Sequence, residues 1–569
     1  MTQPIRRVST FQGEEDNVLK STTTDEEKFE ILSEKENQQK NSSTKPAKYQ
    51  LNITKKQLQN HKEQSLLFKI LTIPYKHPAR LMGFIWIINI FYFEVIIFNQ
   101  KIDTCKWPEL TEETGKKGNE KEKKKISEKD LLKMLVVSDV QVTDSTSYYF
   151  AEKRGFFLYF IEFWSDIFMR KVFKKIQNIH PNPDILVTLG DLLDGGRKLN
   201  DFNFDLEMKR YNWIFELQKD IPFLNISGNH DIGYAIENNP ENKERYKRTF
   251  GPLNFQKELK NFTFIGIDSS NIETEVANEE YHLEFSEFLE NISKEVIENP
   301  KQPRVLFTHF PLFRFSSDCG EFDFKPYQNF HKYQGKLTYQ HYVLEKSSEK
   351  ILDQIQPSFI FSGHLHIPCY YSHRNKHPEL IVGTFSWLQG YLHPSYTLVS
   401  LFYDKSNIDS QPQIKYSVCF LPNQLHVYFW YIVLFIITMI VFFVVPPFFA
   451  ICNFVFHFNS SQKISGQIFS SKYFPDDEIN HFSQDDNENS NSNSNSNSNS
   501  NSNSNSNSNS NSNSNSNSNS NSNGNRIFSF WKRFFSILLY ESTKNIKPFI
   551  KMLATAIPVY LYILYYELR

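Results

Sequence analysis

Three long apolar runs interrupt the chain, and the segment between the first two alternates short β-branched runs with helical stretches. Residues 83–98 (GFIWIINIFYFEVIIF), extended by Leu81 and Met82, follow Lys69, Lys76 and Arg80. The extended run approaches the roughly 20 apolar residues that a spanning helix needs. Its charged flank and its aromatics near the ends predict a transmembrane helix over 81–98 rather than a buried core helix. Glu94 lies inside it, and a charge at membrane depth calls for a partner or a role. Residues 427–451 carry no charge and predict a second span. The third run, 549–566, holds Lys551 and Pro558 and reads as a spanning or an interfacial helix. Ahead of it, 527–540 mixes Phe, Trp, Ile and Leu with Lys532 and Arg533, the pattern of an amphipathic surface helix.

Between the first two spans the apolar runs 134–137, 185–189, 223–226, 262–267, 304–307 and 358–361 read as strands separated by helices. They predict one α/β domain over 131–420. Residues 1–66 are polar and predict a disordered tail, with no signal peptide at Met1. Residues 457–526 predict a disordered linker, because the Asn-Ser alternation over 489–523 has no apolar group to bury.

Composition sharpens this division. Aromatics reach 15% although the mean hydropathy is −0.49, so apolar and polar residues must occupy separate blocks. Hydrophobic residues at 40% exclude a wholly disordered chain. Lys+Arg 63 against Asp+Glu 64 leaves no net field to attract nucleic acid. Five cysteines are too few for a disulfide scaffold.

The candidate chemistry follows the strands. Asp139-Val-Gln141, Gly190-Asp191-Leu-Leu-Asp194, Gly228-Asn229-His230-Asp231, Thr308-His309 and Gly363-His364-Leu-His366 each come after an expected strand. Ligands of open α/β sheets collect beyond the carboxyl ends of strands. The donors are carboxylate, amide and imidazole without thiolate, which suits a pair of divalent metals, Mn foremost, with Zn or Fe as alternatives. Seven candidate ligands exceed the four that a structural zinc takes.

These strings resemble the calcineurin-like metallophosphoesterases, with the pattern D-x-H, G-D-x-x-D, G-N-H-D/E, a later His, and G-H-x-H. Gln141 stands where that pattern has His. Asp139-Val-Gln-Val-Thr-Asp144 is similar to a D-P-Q-x-x-D segment of a narrower group. These are membrane metallophosphoesterases of the Cdc1/Ted1 type, which act on glycosylphosphatidylinositol (GPI) anchors. The blocks at 164–170 (WSDIFMR), 190–197 (GDLLDGGR), 308–314 (THFPLFR), Cys319-Gly320 and 362–369 (SGHLHIPC) also resemble that group.

The resemblance implies a four-layer α/β fold, two central mixed sheets flanked by helices, with two or three transmembrane helices. It implies Asp191 as a bridging ligand, with Asp139, Gln141 and His366 on one metal and Asn229, His309 and His364 on the other. His230 would serve as the catalytic acid. Asp194 would support it, and Arg197, Arg314 and His393 are candidates for holding phosphate.

The implied activity is removal of an ethanolamine-phosphate branch from a mannose of the GPI glycan. The implied partners are the GPI glycolipid or GPI-anchored proteins. Alternatives are hydrolysis of another phospholipid or phosphoglycan, or a non-catalytic cargo adaptor. Sequons at Asn261 and Asn291 permit a lumenal domain, and Cys319 and Cys369 are candidates for a disulfide at the rim of the site. A multi-pass protein of the endoplasmic reticulum or early Golgi membrane is expected, with its catalytic domain in the lumen.

Overall fold

The computed structural model describes residues 77–459 and 520–568, except for short stretches at 118–119, 149–154, 219–220, 274–278, 316–317, 320–321, 324–329, 334–335 and 408–409. The expected N-terminal tail and the Asn-Ser tract up to residue 519 fall outside the described residues.

Two sheets form the centre of the domain. Their strands are β1 Leu132–Val137, β2 Ile185–Thr188, β3 Phe223–Asn225, β4 Phe255–Leu259, β5 Phe262–Gly266, β6 Arg304–Phe307, β7 Phe359–Ser362, β8 Cys369–His373, β9 His377–Ile381, β10 Ser395–Phe402 and β11 Gln413–Phe420. One sheet has the order β11-β10-β1-β2-β3 and the other β8-β9-β7-β6-β5-β4. In the first sheet β1, β2 and β3 are parallel. In the second, β5, β6, β7 and β9 are parallel. The outer strands β4, β8, β10 and β11 run antiparallel to their neighbours. All six strands expected from the sequence are present; the antiparallel strands were not anticipated. Of the antiparallel segments, FQKEL, CYYSH and QIKYSVCF carry polar or charged residues, as does the parallel strand β9 (HPELI), also unanticipated, while β10 (SYTLVSLF) intersperses Ser and Thr among its apolar residues.

Side-chain alternation along β1 explains the layering. Leu132, Met134 and Val136 face the second sheet, where they meet Phe264, Phe307 and Phe361. Leu135 and Val137 face the other way, onto helices. The Phe264–Phe307 and Phe307–Phe361 pairs stack at 5.8 and 6.0 Å between ring centres.

Seven helices matter below. These are α1 Pro78–Thr104, α2 Gly155–Ile179, α3 Glu279–Glu298, α4 Glu345–Ile355, α5 Gln424–Val455, α6 Ser520–Lys544 and α7 Ile546–Leu568. Phe168, Val172, Phe173 and Ile176 of α2 cover the first sheet. Leu289 of α3 and Ile351 of α4 cover the second. The result is the expected four-layer α/β/β/α arrangement.

Three helical stretches are long and apolar enough to cross a membrane: α1, α5 and Ile527–Leu568, which contains most of α6 and all of α7. The expected spans lie inside these longer helices. Met82 of α1, Leu434 and Phe442 of α5 and Met552 of α7 form a shared cluster. Phe530 on α6 meets Phe454 at the far end of α5, with ring centres 5.5 Å apart. Ile527, Phe528, Trp531 and Phe535 of α6 stay exposed, as an interfacial helix requires.

Glu94 has a partner. It sits in a π-helical turn, Tyr92–Ile96, and is buried. Lys171 Nζ of α2 donates to it at 2.7 Å, and the Tyr431 hydroxyl of α5 donates at 2.9 Å. Lys175, next along α2, pairs with Glu567 and donates to Asn99 Oδ1 at 2.8 Å. Glu567 near the end of α7 therefore lies beside the same stretch of α2 as the second half of α1. So α7 runs in the same direction as α1, and its C-terminal end lies on the catalytic-domain side of the bundle. A disulfide between Cys105 and Cys419, 314 residues apart, closes the junction of α1 with β11.

Removing one member of a buried ion pair leaves the other charge uncompensated, at a cost of about 3–5 kcal/mol. Lys171→Met should therefore lower the thermal midpoint of the detergent-solubilised protein clearly. Adding Glu94→Gln should restore much of the loss. A single variant as stable as the wild type would show that this pair does not hold the domain on its helices.

Candidate metal centre

The parallel strands of both sheets deliver their carboxyl ends to one place. Asp139 and Gln141 follow β1, Asp191 follows β2, Asn229 and His230 follow β3, His309 follows β6, and His364 and His366 follow β7. Five of these residues hold left-handed backbone conformations: Asp139 (φ 48°), Gln141 (41°), Asp191 (54°), His364 (72°) and His366 (64°). Each such conformation costs on the order of 1–3 kcal/mol and persists only when its surroundings enforce it.

The enforcing contacts are visible. Gln141 N donates to the Asp191 carbonyl at 2.8 Å, and the Thr384 hydroxyl donates to the Asp139 carbonyl at 2.7 Å. His364 N donates to the Asp139 carboxylate at 3.0 Å. Gly228 and Gly363 leave room for close approach: a Cβ at Gly228 would lie 2.1 Å from Asp191 Oδ1, and one at Gly363 would lie 3.0 Å from Asp139 Oδ2.

The donor atoms converge. Asp191, His309 and His364 offer ligand atoms within 4.8 Å of one another. Gln141 Nε2 donates to Asp191 Oδ2 at 2.8 Å, which leaves the amide oxygen as this side chain's donor for a cation. His366 Nε2 lies 3.6 Å from Asp139 Oδ1.

Backbone carbonyls orient all three imidazoles. Leu189 O accepts from His309 Nδ1 at 2.7 Å, Gln340 O from His364 Nε2 at 2.7 Å, and Gln389 O from His366 Nδ1 at 3.1 Å. A carbonyl only accepts, so these nitrogens carry the hydrogens and the opposite nitrogens present lone pairs. His309 Nε2 and His364 Nδ1 thus face each other at 3.2 Å, with Asn229 Oδ1 3.2 Å from the former. With both rings neutral these lone pairs aim at one another beside two buried carboxylates, an arrangement that a cation between them satisfies. The residues present fit a divalent metal site.

The electrostatics agree. Burial pushes the Asp139 carboxyl up, more than the His366 and His309 charges pull it down. Burial also acts on Asp191, but His309 and His230 outweigh it and hold that carboxyl well below its usual range. For His309 burial favours the neutral ring, yet Asp191 wins and raises it to about 9. His364 is driven well below the usual imidazole value by burial and by the His309 charge. When no metal lies between the rings, the proton on His309 is the positive charge that they share.

His230 stands at the edge. Its Nδ1 lies 2.9 Å from Asp194 Oδ1 and 2.7 Å from the Asp194 carbonyl, while its Nε2 is 4.0 Å from Asp191 Oδ2. Burial disfavours its charge, but Asp191 and Asp194 more than compensate and its pKa is raised. Gln141, Asp191, Asp194, His230, His364 and His366 line an open cavity of about 250 Å³.

Several sequence expectations need correction. Arg314 is buried and bonded to Glu379 at 3.3 Å and to Cys369 Sγ at 3.2 Å, beneath the His309 loop. It braces strand β9 and does not line the cavity. Arg197 turns to Glu237 and to the Asp194 carbonyl, and the exposed His393 lies against Tyr391 instead. None of the three is among the residues that line the metal cavity, although Arg197 is near enough to His230 to act on its charge. Cys369 is disulfide-bonded, whereas the side chain of Cys319 lies outside the described residues.

Other residues emerge only from the structure. Ser147, Tyr148, Tyr339, Leu388 and Gln389 complete the cavity wall. Asp231 accepts from the backbone N–H groups of Leu192, Leu193 and Gly228, which locks two ligand loops together. Its place in Gly-Asn-His-Asp was the available signal, since an Asp in such a turn often bonds backbone.

Comparison with known proteins decides the family. The calcineurin-like phosphoesterase model matches residues 132–368. The domain is a calcineurin-like phosphoesterase. The cell division control protein 1 of Saccharomyces cerevisiae is 27% identical over 57% of this chain and 63% of its own length. Metallophosphoesterase 1 of Xenopus laevis is 25% identical over 59% of this chain and 82% of its own. The Drosophila melanogaster metallophosphoesterase 1 homolog is 25% identical over 53% and 77%. A dimetal phosphatase from Danio rerio aligns structurally with 51% of this chain and 99% of its own, at 12% identity and a TM-score of 0.33. The family model and the curated relatives support a metal-dependent phosphoesterase domain.

Proposed function

We propose that the protein removes an ethanolamine-phosphate branch from a mannose of GPI anchors, at a lumenal face of the early secretory membranes. The observation that carries this reading is where the GPI-type motif residues lie. Asp144 accepts from Gly195 N at 2.7 Å, tying the loop after β1 to the loop after β2. Asp166 of the WSDIFMR block holds Arg210 through both oxygens, at 2.8 and 2.9 Å, and Arg210 donates to the Thr143 carbonyl. Residues outside the metal set therefore shape the loops that carry the metal set, and they do so with the motifs of that group.

The residues that would hold the ions are Asp139, Gln141 and His366 for one and Asn229, His309 and His364 for the other, with Asp191 shared. When bound, two divalent ions supply Lewis acidity toward the phosphate and toward water. Manganese is the proposed metal, and the nitrogen and oxygen donors equally suit zinc or iron. His230, fixed by Asp194, stands ready to deliver a proton to the departing alkoxide.

The lumenal assignment rests on the Cys105–Cys419 disulfide, on the bonded state of Cys369, and on Asn261 and Asn291, which are both exposed. The GPI glycolipid, free or carried on a protein, is the proposed partner.

The purified, Mn-loaded protein should release ethanolamine phosphate from a defined GPI glycolipid, read by mass spectrometry of the glycan. Release from no branch, with metals bound and a generic phosphodiester still cleaved, would leave the phosphoesterase and remove the GPI substrate. Retention of glycolipid without any turnover would point to the adaptor role instead.

A further inference from the structure

A second cavity, of about 590 Å³, lies between the membrane helices and α2. Trp86 of α1, Trp164 of α2, Tyr428 and Phe435 of α5 and Ala556 and Tyr560 of α7 are among its walls. Its volume is that of a small-molecule site, and its wall is built from apolar and aromatic side chains at the depth of the candidate spans. One wall residue, Trp387, immediately precedes Leu388 and Gln389, which line the metal cavity. Trp387 packs edge-on against Tyr428, at 5.7 Å between ring centres. Its indole N–H is buried and has no hydrogen-bond partner among the described residues.

The first turns of α2 add a second observation. Phe156, Phe157, Tyr159, Phe160 and Phe163 are all exposed. Five exposed aromatics in two turns suit immersion at a membrane surface and not contact with water. Phe160 also lines the cavity. Consecutive residues of the segment 387–389 therefore line the apolar cavity and the metal cavity, and beside the apolar one lies a helix end suited to the bilayer boundary.

We infer that the apolar cavity holds a hydrocarbon chain of the phosphoester substrate's own lipid, while the polar part reaches the metal centre past Trp387. The orphan indole N–H then meets an oxygen of the lipid backbone or head group. This rests on the reading of a lipid-linked phosphoester substrate. It goes further in making the lipid part a specificity element: the enzyme selects membrane-borne phosphoesters over water-soluble ones of the same head group.

Ala556→Phe fills the cavity from α7, with Ala556→Leu as the milder filling should Phe prevent folding. Detergent-purified protein is titrated with dibromostearoyl phosphatidylcholine, whose bromines quench the indoles of Trp86, Trp164 and Trp387. The wild type should show a saturable component at about one lipid per chain, and the filled variants should lose it. In parallel, kcat/KM is measured for a vesicle-borne phosphodiester lipid and for a soluble phosphodiester with the same head group. The ratio of the two should fall about tenfold or more on filling. Equal quenching before and after filling, which is the behaviour of annular lipid alone, would overturn the inference. So would an unchanged ratio. If neither substrate is cleaved by any form, the catalytic reading fails by itself, and the quenching still decides the cavity.

Discussion

Asp191→Asn should strip the protein of metal and abolish turnover while the domain stays folded. The side chain is fully buried and accepts from two sides: Gln141 Nε2 at 2.8 Å and His230 N at 2.8 Å. His309 Nε2 also lies 3.4 Å from its Oδ1. The amide keeps the shape, so the cost in folding is limited to one mismatched donor contact, about 1–3 kcal/mol. What it loses is the charge around which the site is arranged. As the proposed ligand to both ions, Asp191 affects two sites at once. Metal stoichiometry by elemental analysis should drop from near two to below one, and kcat/KM should fall about 10³-fold or more. Full occupancy in the variant would show that Asp191 is not shared between metals.

The sequence announced the core of this site because its chemistry is local. Each ligand string is short and follows an apolar strand, and three of the five begin with a glycine, so strand, turn and donor are read from a handful of residues. The same locality explains what stayed hidden. Arg314, in the THFPLFR block, was a phosphate candidate by resemblance, but its burial against Glu379 is decided by β9, more than sixty residues later. Gln340 O and Gln389 O, which orient His364 and His366, are backbone atoms and leave no mark in composition. Glu94 was conspicuous in its apolar run, and Lys171 was not, because it is one of several basic residues in the stretch 170–175. Pairing of charges across distant segments is a tertiary property. The cavity beside Trp387 is of the same kind, assembled from four helices with no shared motif.

His230→Ala tests the chemistry apart from the metals. The ring is not among the proposed ligands, yet its backbone N–H bonds Asp191 and its Nδ1 is held twice by Asp194. Alanine preserves the backbone bond, so the Asp191 carboxylate keeps that donor. The two contacts of the ring to Asp194 disappear, and with them the positioned proton source. A general acid contributes about 10²–10⁴ in rate. The expected result is a fall of that size in kcat with both metals still bound and with little change in KM, because the ring acts on the leaving group more than on binding the substrate. A substrate whose leaving group departs without protonation, such as a nitrophenyl phosphodiester, should lose much less. That contrast separates proton donation from simple phosphate binding: a ring that only held phosphate would slow both substrates alike and raise KM. Asp194→Asn should reproduce a weaker version, about 10–100-fold, since it leaves the ring in place but removes the charge that orients it.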